Sequence, residues 1–294
     1  MASQDRTRRN MMVSTKNALS RLSCTICALL AVAMAFDAEA ALPKMVAHRG
    51  AGDLTMPEAS LPAYSNAIAT ACDIVKLDVQ FTRDGVAVMG HDVTLKRNMD
   101  WDVRIADMTY AEILEKGRYV ENGKPGELRI VRLDQALDIV RTAPEFWLDF
   151  KDSERFHPWQ ADKALAAFRA AGIGLDRVMV ATFNKKALKY VQQAHPQVRR
   201  VAHCSFEPDV DKEQEFKAIL AFCREYGLFG LNMPVKKRQM NVNDVEWFKS
   251  RGLWVSLWYV QDAETAVTYG AANADAFVTD NVSTVRKALS GIKK

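Results

Sequence analysis

Two spacings of apolar residues alternate along the chain from Pro43 to Asp280. Short β-rich runs predict strands at Lys44 to Ala47, Ile74 to Phe81, Val86 to Met89, Phe146 to Phe150, Arg177 to Ala181, Arg199 to Ala202, Leu228 to Leu231, Leu253 to Trp258 and Ala276 to Thr279. Stretches of helical period lie between them, at Leu61 to Ala71, Gln160 to Ala171, Lys185 to Gln193, Lys212 to Tyr226, Val242 to Arg251 and Ala263 to Tyr269. Most are followed by a helix-ending residue, such as Gly172, Pro196, Gly227, Gly252 and Gly270. Repeated strand-helix units build a parallel sheet, and this many favour closure. The fold class is α/β, a TIM (β/α)8 barrel. An open doubly wound sheet is the alternative, but no Gly-rich phosphate turn follows the first strand.

Nine strand candidates compete for eight barrel places. Val86 to Met89 follows a tight Thr82-Arg83-Asp84-Gly85 reversal, so it is the natural extra arm. Periodicity weakens over about residues 92–129, which reads as a small insertion covering substrate after the second and third strand region. Within it, Thr109 and Glu112 form a capping-box pattern.

Composition permits one large core: 49% of the 294 residues are hydrophobic. The first forty residues read as a signal peptide, with basic Arg6, Arg8, Arg9, Lys16 and Arg21, an apolar run from Leu22 to Phe36, and the small-x-small triplet Ala38-Glu39-Ala40. Domain 41–294 would then be exported, periplasmic or secreted. Scattered basic residues and a formal net charge of +4 exclude a nucleic-acid partner. Cys72, Cys204 and Cys223 remain after cleavage, and three buried free thiols fit better than a Cys204–Cys223 bridge.

Candidate chemistry concentrates between Ala47 and Asp92. His48 and His91 each end a short apolar run, and imidazoles titrating near neutrality can serve as acid and base of one displacement. Period two puts Lys76 and Asp78 on one face of the second strand, and Asp149 and Lys151 on one face of a later one. Charges on apolar parallel strands are costly to bury, so they should serve a site at the C-terminal strand ends. His157, His195 and His203 read as surface or packing residues, and Trp159, Trp247 and Trp254 as packing.

These residues resemble the motifs of the glycerophosphodiester phosphodiesterase family: His48-Arg49-Gly50, Pro57-Glu58-Ala59, Lys76-Leu77-Asp78, Thr82-Arg83-Asp84-Gly85, His91-Asp92 and Asp149-Phe150-Lys151, in family order. The likeness continues to Trp258 and the closing Ala274 to Asp280. It implies a TIM barrel that cleaves small glycerophosphodiesters to sn-glycerol 3-phosphate and an alcohol. In that light His48 and His91 are the acid/base pair, Arg49 and Lys151 hold phosphate, and Trp258 packs against the glycerol end. Glu58, Asp78 and Asp149 match positions that bind a divalent cation, Ca2+ or Mg2+.

Two departures bear on that cation. Lys76 stands where the family offers a carboxylate, and Asp149 is a methylene shorter than the usual Glu. Lys76 is expected to weaken metal binding, its ammonium taking the cation's place between Asp78 and Asp149. Three functions follow: a phosphodiesterase with weakened or no metal dependence, a catalytically silent barrel binding phosphoglycerol ligands, or a phospholipase D-like enzyme on lysolipids or sphingolipids. The last expects an apolar exposed rim, for which Trp101, Tyr110 and Tyr119 are candidates, and membrane contact only through its lipid substrate.

Overall fold

The computed structural model describes residues 42–51, 56–121, 123–205, 211–235 and 240–291. The stretch read as a signal peptide, with its expected cleavage triplet, lies outside the described residues. Eight parallel strands form the barrel: β1 (Lys44–Ala47), β2 (Ile74–Phe81), β8 (Glu145–Phe150), β9 (Val178–Thr182), β10 (Arg199–His203), β11 (Gly230–Pro234), β12 (Trp254–Trp258) and β13 (Ala276–Thr279). Closure comes from β1, which pairs in parallel with both β13 and β2. The arm β3 (Ala87–Met89) pairs antiparallel with β2 and stays outside the ring. One strand moved from its expected place: β11 runs through Asn232 and Pro234 because Gly227 turns the chain at φ 54° and delays its start.

Side-chain alternation divides the strands into two faces. Val75, Leu77, Phe146, Leu148, Val255 and Leu257 join the large core against the surrounding helices. Val46, Ile74, Trp147, Met179, Val201 and Val278 form a separate cluster inside the ring. Trp147 is fully buried there and donates its indole N–H to the Ala181 carbonyl at 2.9 Å. Continuing the inner registers toward the C-terminal ends gives His48 above Val46, Lys76 and Asp78 above Ile74, Asp149 above Trp147, and His203 above Val201. The barrel thus has an apolar floor and a charged upper layer.

Besides the single turn Lys96–Met99, two helices of at least two turns escaped the sequence reading, Leu133–Val140 and Val282–Ser290. Both are short, and their buried residues keep helical spacing: Leu133, Ala136, Leu137 and Val140 in one, Val282, Val285 and Leu289 in the other.

The stretch from β3 to β8 has a small core of its own. It holds the hairpin β4 (Thr94–Leu95) with β5 (Trp101–Arg104), a helix Tyr110–Lys116 closed by the Thr109/Glu112 capping box, and the hairpin β6 (Val120–Glu121) with β7 (Lys124–Pro125). Leu95, Met99, Ile105, Ile113 and Tyr119 pack together beneath it. The expected aromatic rim is corrected here. Tyr119 is 1% exposed and donates to the Ala59 carbonyl, while Trp101 and Tyr110 are half-buried against the same cluster. Trp159 is corrected the other way: it is largely exposed, edge-on to Phe81. Cys72, Cys204 and Cys223 are free and buried.

After β1 the backbone turns through three consecutive positive φ values, Arg49 at 52°, Gly50 at 94° and Ala51 at 48°. A Cβ on Gly50 would sit 2.7 Å from the Ala63 carbonyl carbon and 2.9 Å from the Tyr64 nitrogen, both backbone atoms of the helix Leu61–Ala69. Gly50→Ala is therefore expected to cost about 2 kcal/mol or more, lowering Tm by about 5 °C or more for a chain of this size. Thermal denaturation measures it, and an unchanged Tm would show that the turn relaxes freely.

Candidate active site

Two histidine–aspartate pairs stand at the upper layer. His48, at the end of β1, is buried, and its Nδ1 lies 2.7 Å from Asp280 Oδ1 just beyond β13. These residues are 232 positions apart, and ring closure brings them together. His91, after β3, has its Nδ1 2.6 Å from Asp92 Oδ1. Arg97 grips that aspartate with two hydrogen bonds, at 2.7 and 2.8 Å, while Gln261 holds Asp280 at 2.6 Å. A carboxylate on Nδ1 fixes the proton there and leaves Nε2 for substrate.

Burial pushes the His48 pKa down, Arg49 and Lys76 push the same way, and Asp280 opposes them; the result is about 4. Burial likewise lowers His91 to about 4, helped by Lys151 and Arg49 and opposed by Asp78 and Asp92. Both imidazoles are neutral at pH 7.

Between the histidines lies a buried lattice of charges. Lys76 is 3% exposed, Asp78 0% and Asp149 1%. The register of β2 on β8 sets Asp78 opposite Asp149, and Lys76 opposite Trp147. The Lys76 ammonium reaches both carboxylates, hydrogen-bonding to Asp78 and lying 2.9 Å from Asp149 Oδ2. Lys151 Nζ shares that oxygen at 3.1 Å. Arg49 pairs with Glu58 and lies with its Nε 3.2 Å from Asp78 Oδ2. Burial alone would raise both aspartates, but Lys76 and Lys151, with Arg49 also acting on Asp78, outweigh it and hold them below the carboxylate range. Burial alone would lower Lys76, and Asp149 and Asp78 reverse that, so it stays charged.

His48, Arg49, Glu58, Lys76, Asp78, His91, Asp149 and Lys151 thus form one electrostatic cluster. Glu58 meets Arg49 and, at 3.6 Å, Arg97, rather than the two aspartates. Trp258 stands at the rim, half-buried, 5.3 Å from the Tyr259 ring and 6.4 Å from Phe183. Tyr259 links it to the cluster, with its ring 4.6 Å from that of His48.

Three neighbours escaped the sequence reading as site residues. Asp280 closes a motif but carried no sign of its histidine partner, and Tyr259 reads as the end of an apolar strand. His203 is packed, as expected, but it is packed beside the site. Its Nδ1 lies 3.8 Å from Asp149 Oδ2, its ring sits edge-on to Trp147 and Phe183, and its Nε2 is buried without a hydrogen-bond partner among the described residues. Burial lowers its pKa to about 3. The clue was its place two residues after Val201 on the inner face of β10.

A model of the glycerophosphoryl diester phosphodiesterase family matches residues 48–284, nearly all of the barrel and every residue of this cluster. The chain belongs to that family. It is accordingly a phosphoric diester hydrolase of the glycerophosphodiester class. A glycerophosphodiester phosphodiesterase of Bacillus subtilis is 25% identical over 71% of this chain and 73% of its own length. One from Caldanaerobacter subterraneus is 27% identical over 53% of this chain and 64% of its own. Among solved structures, an Oleispira antarctica phosphodiesterase in complex with its product sn-glycerol-3-phosphate matches at a TM-score of 0.72 and 22% identity, covering 85% of this chain and 98% of that one. That likeness is one of fold.

Members of this family are generally divalent-cation dependent. The donor set here does not fit such an ion. Asp78 and Asp149 already share an ammonium, Glu58 is turned to arginines, and among the described residues no group of three His, Cys, Asp or Glu could hold a metal. A dication about 4 Å from the Lys76 charge would be repelled by about 8 kcal/mol at an effective dielectric of about 20.

The depressed histidines make stability depend on pH. Unfolded, His48 and His203 take up protons near pH 6.5; folded, they resist until about 4 and about 3. Their contribution is complete above pH 6.5 and is lost as pH falls toward 4, at up to about 1.4 kcal/mol per pH unit for each. Chemical denaturation across this range is expected to show stability falling with pH. A flat profile between pH 6.5 and 5 would mean the rings are solvated.

Proposed function

We propose that the barrel hydrolyses glycerophosphodiesters to sn-glycerol 3-phosphate and an alcohol, with His48 and His91 as its acid/base pair. The observation that carries this reading is the pair of histidines, each anchored through Nδ1 by an aspartate, beside three cationic side chains. Phosphodiester cleavage needs a deprotonated nucleophile, a protonated leaving oxygen and positive charge on the non-bridging oxygens. One imidazole takes the proton from the attacking oxygen, either water or the glycerol 2-hydroxyl. The other gives a proton to the departing alkoxide. An arriving phosphate monoanion raises nearby imidazole pKa values and so favours loading the acid.

Arg49 holds phosphate through the N–H groups its carboxylate partners leave free, and Lys151 acts as a point charge. Trp258 and Tyr259 offer apolar faces to the glycerol end. No step here runs through Ca2+ or Mg2+. The buried Tyr119 and the half-buried Trp101 and Tyr110, packed on the insertion's own core, favour a small soluble diester over a micellar lysolipid. Export to the periplasm or beyond is part of this proposal, resting on the basic leader, apolar run and Ala38-Glu39-Ala40 triplet.

Purified protein is expected to release sn-glycerol 3-phosphate from glycerophosphocholine. His48→Ala and His91→Ala should each lower kcat by about 10²–10⁴-fold with little change in KM. Loss of the base on protonation should place the acid limb of kcat/KM near pH 4 rather than 6.5. Tight binding of glycerol 3-phosphate without turnover of any diester would instead identify a silent binding barrel. Choline release from lysolipid micelles alone would identify a lipase-like enzyme.

A further inference from the structure

We propose that Lys76 is the resident cation of this active site and that the protein works without a divalent metal ion. The inference rests on the reading of the site as a phosphodiesterase centre and deepens it. Its basis is the balance of charge at the upper layer. Three cations, Arg49, Lys76 and Lys151, face three carboxylates, Glu58, Asp78 and Asp149, and every one is engaged in an ion pair within the set. The set is neutral as it stands. Adding a divalent ion would leave two positive charges uncompensated within this set, whose Lys76, Asp78 and Asp149 are almost wholly out of water, while the layer's other carboxylates, Asp280 and Asp92, are turned to His48 with Gln261 and to His91 with Arg97.

Position agrees with charge. The Lys76 ammonium occupies the space between Asp78 and Asp149, the two carboxylates that β2 and β8 set side by side and that would otherwise be available to hold a cation. Two of its three N–H donors go to those aspartates, and the third is left for a non-bridging phosphate oxygen. A fixed ammonium supplies there the charge that a bound ion would otherwise bring. Asp149, on the neighbouring strand β8, accepts from that ammonium at 2.9 Å. Asp78 and Asp149 hold the ammonium in place, acting as positioning residues.

The test compares the parent with Lys76→Glu and Lys76→Gln. Thermal stability is titrated with millimolar CaCl2 or MgCl2, and glycerophosphocholine turnover is measured in EDTA and in either salt. The parent is expected to show no metal-induced rise in Tm and the same turnover in EDTA as in metal. Lys76→Glu should lose turnover in EDTA, regain it with metal, and gain a metal-induced rise in Tm. Lys76→Gln, which restores an oxygen donor without charge, should show a smaller rise and decides the matter if Lys76→Glu does not fold. A parent stabilised by metal, or inactivated by EDTA and restored by metal, overturns the inference while leaving the proposed hydrolysis intact. Absence of metal stabilisation in both variants also overturns it, because Lys76 would then not sit at a metal locus. An inert parent beside metal-stabilised variants refutes the hydrolysis and supports the cation's placement.

Discussion

The structure turns on one buried contact, the Lys76 ammonium held between Asp78 and Asp149 above the apolar floor of the barrel. Three full charges in a nearly dry layer survive only because each is paired. Removing any one would leave buried charge only partly compensated by the remaining partners, which is strongly destabilising. The neighbouring groups are arranged around that constraint. Trp147 closes the floor beneath it, Lys151 and Arg49 balance the remaining carboxylate charge, and burial, with the nearby Arg49, Lys76 and Lys151 charges, keeps His48 and His91 neutral.

The identity of this one strand residue therefore has consequences across the site. With a lysine in β2, the cation is tethered by the chain, cannot be chelated away and carries one charge instead of two. On the proposed reading the phosphate would meet this single charge together with those of Arg49 and Lys151, which lie beside it. Family membership and the barrel were secure from independent directions, the matched length of 48–284 and ring closure by β1. Neither bears on what neutralises the carboxylates, which depends on the particular side chains of this chain.

Much of the fold was legible because period two and period 3.6 differ so sharply in long elements. All eight ring strands, the outer arm at Ala87–Met89 and the Thr109 capping box could be read from local pattern. The helices Leu133–Val140 and Val282–Ser290 were not, although their buried residues keep helical spacing. Within the site, legibility followed sequence distance. Lys76 with Asp78, and Asp149 with Lys151, share strands and so share faces. His48 with Asp280 depends on closing a ring over 232 residues, and His203 looked like a packing residue until β10 was seen to point it at Asp149.

The most direct test of the central claim is an anomalous-difference map from crystals of the unaltered protein grown with MnCl2 and sn-glycerol 3-phosphate. The account predicts no manganese peak among Glu58, Asp78 and Asp149, with the Lys76 ammonium within hydrogen-bonding distance of a phosphate oxygen. A manganese peak bridging Asp78 and Asp149, with the Lys76 side chain swung out of the layer, would contradict it.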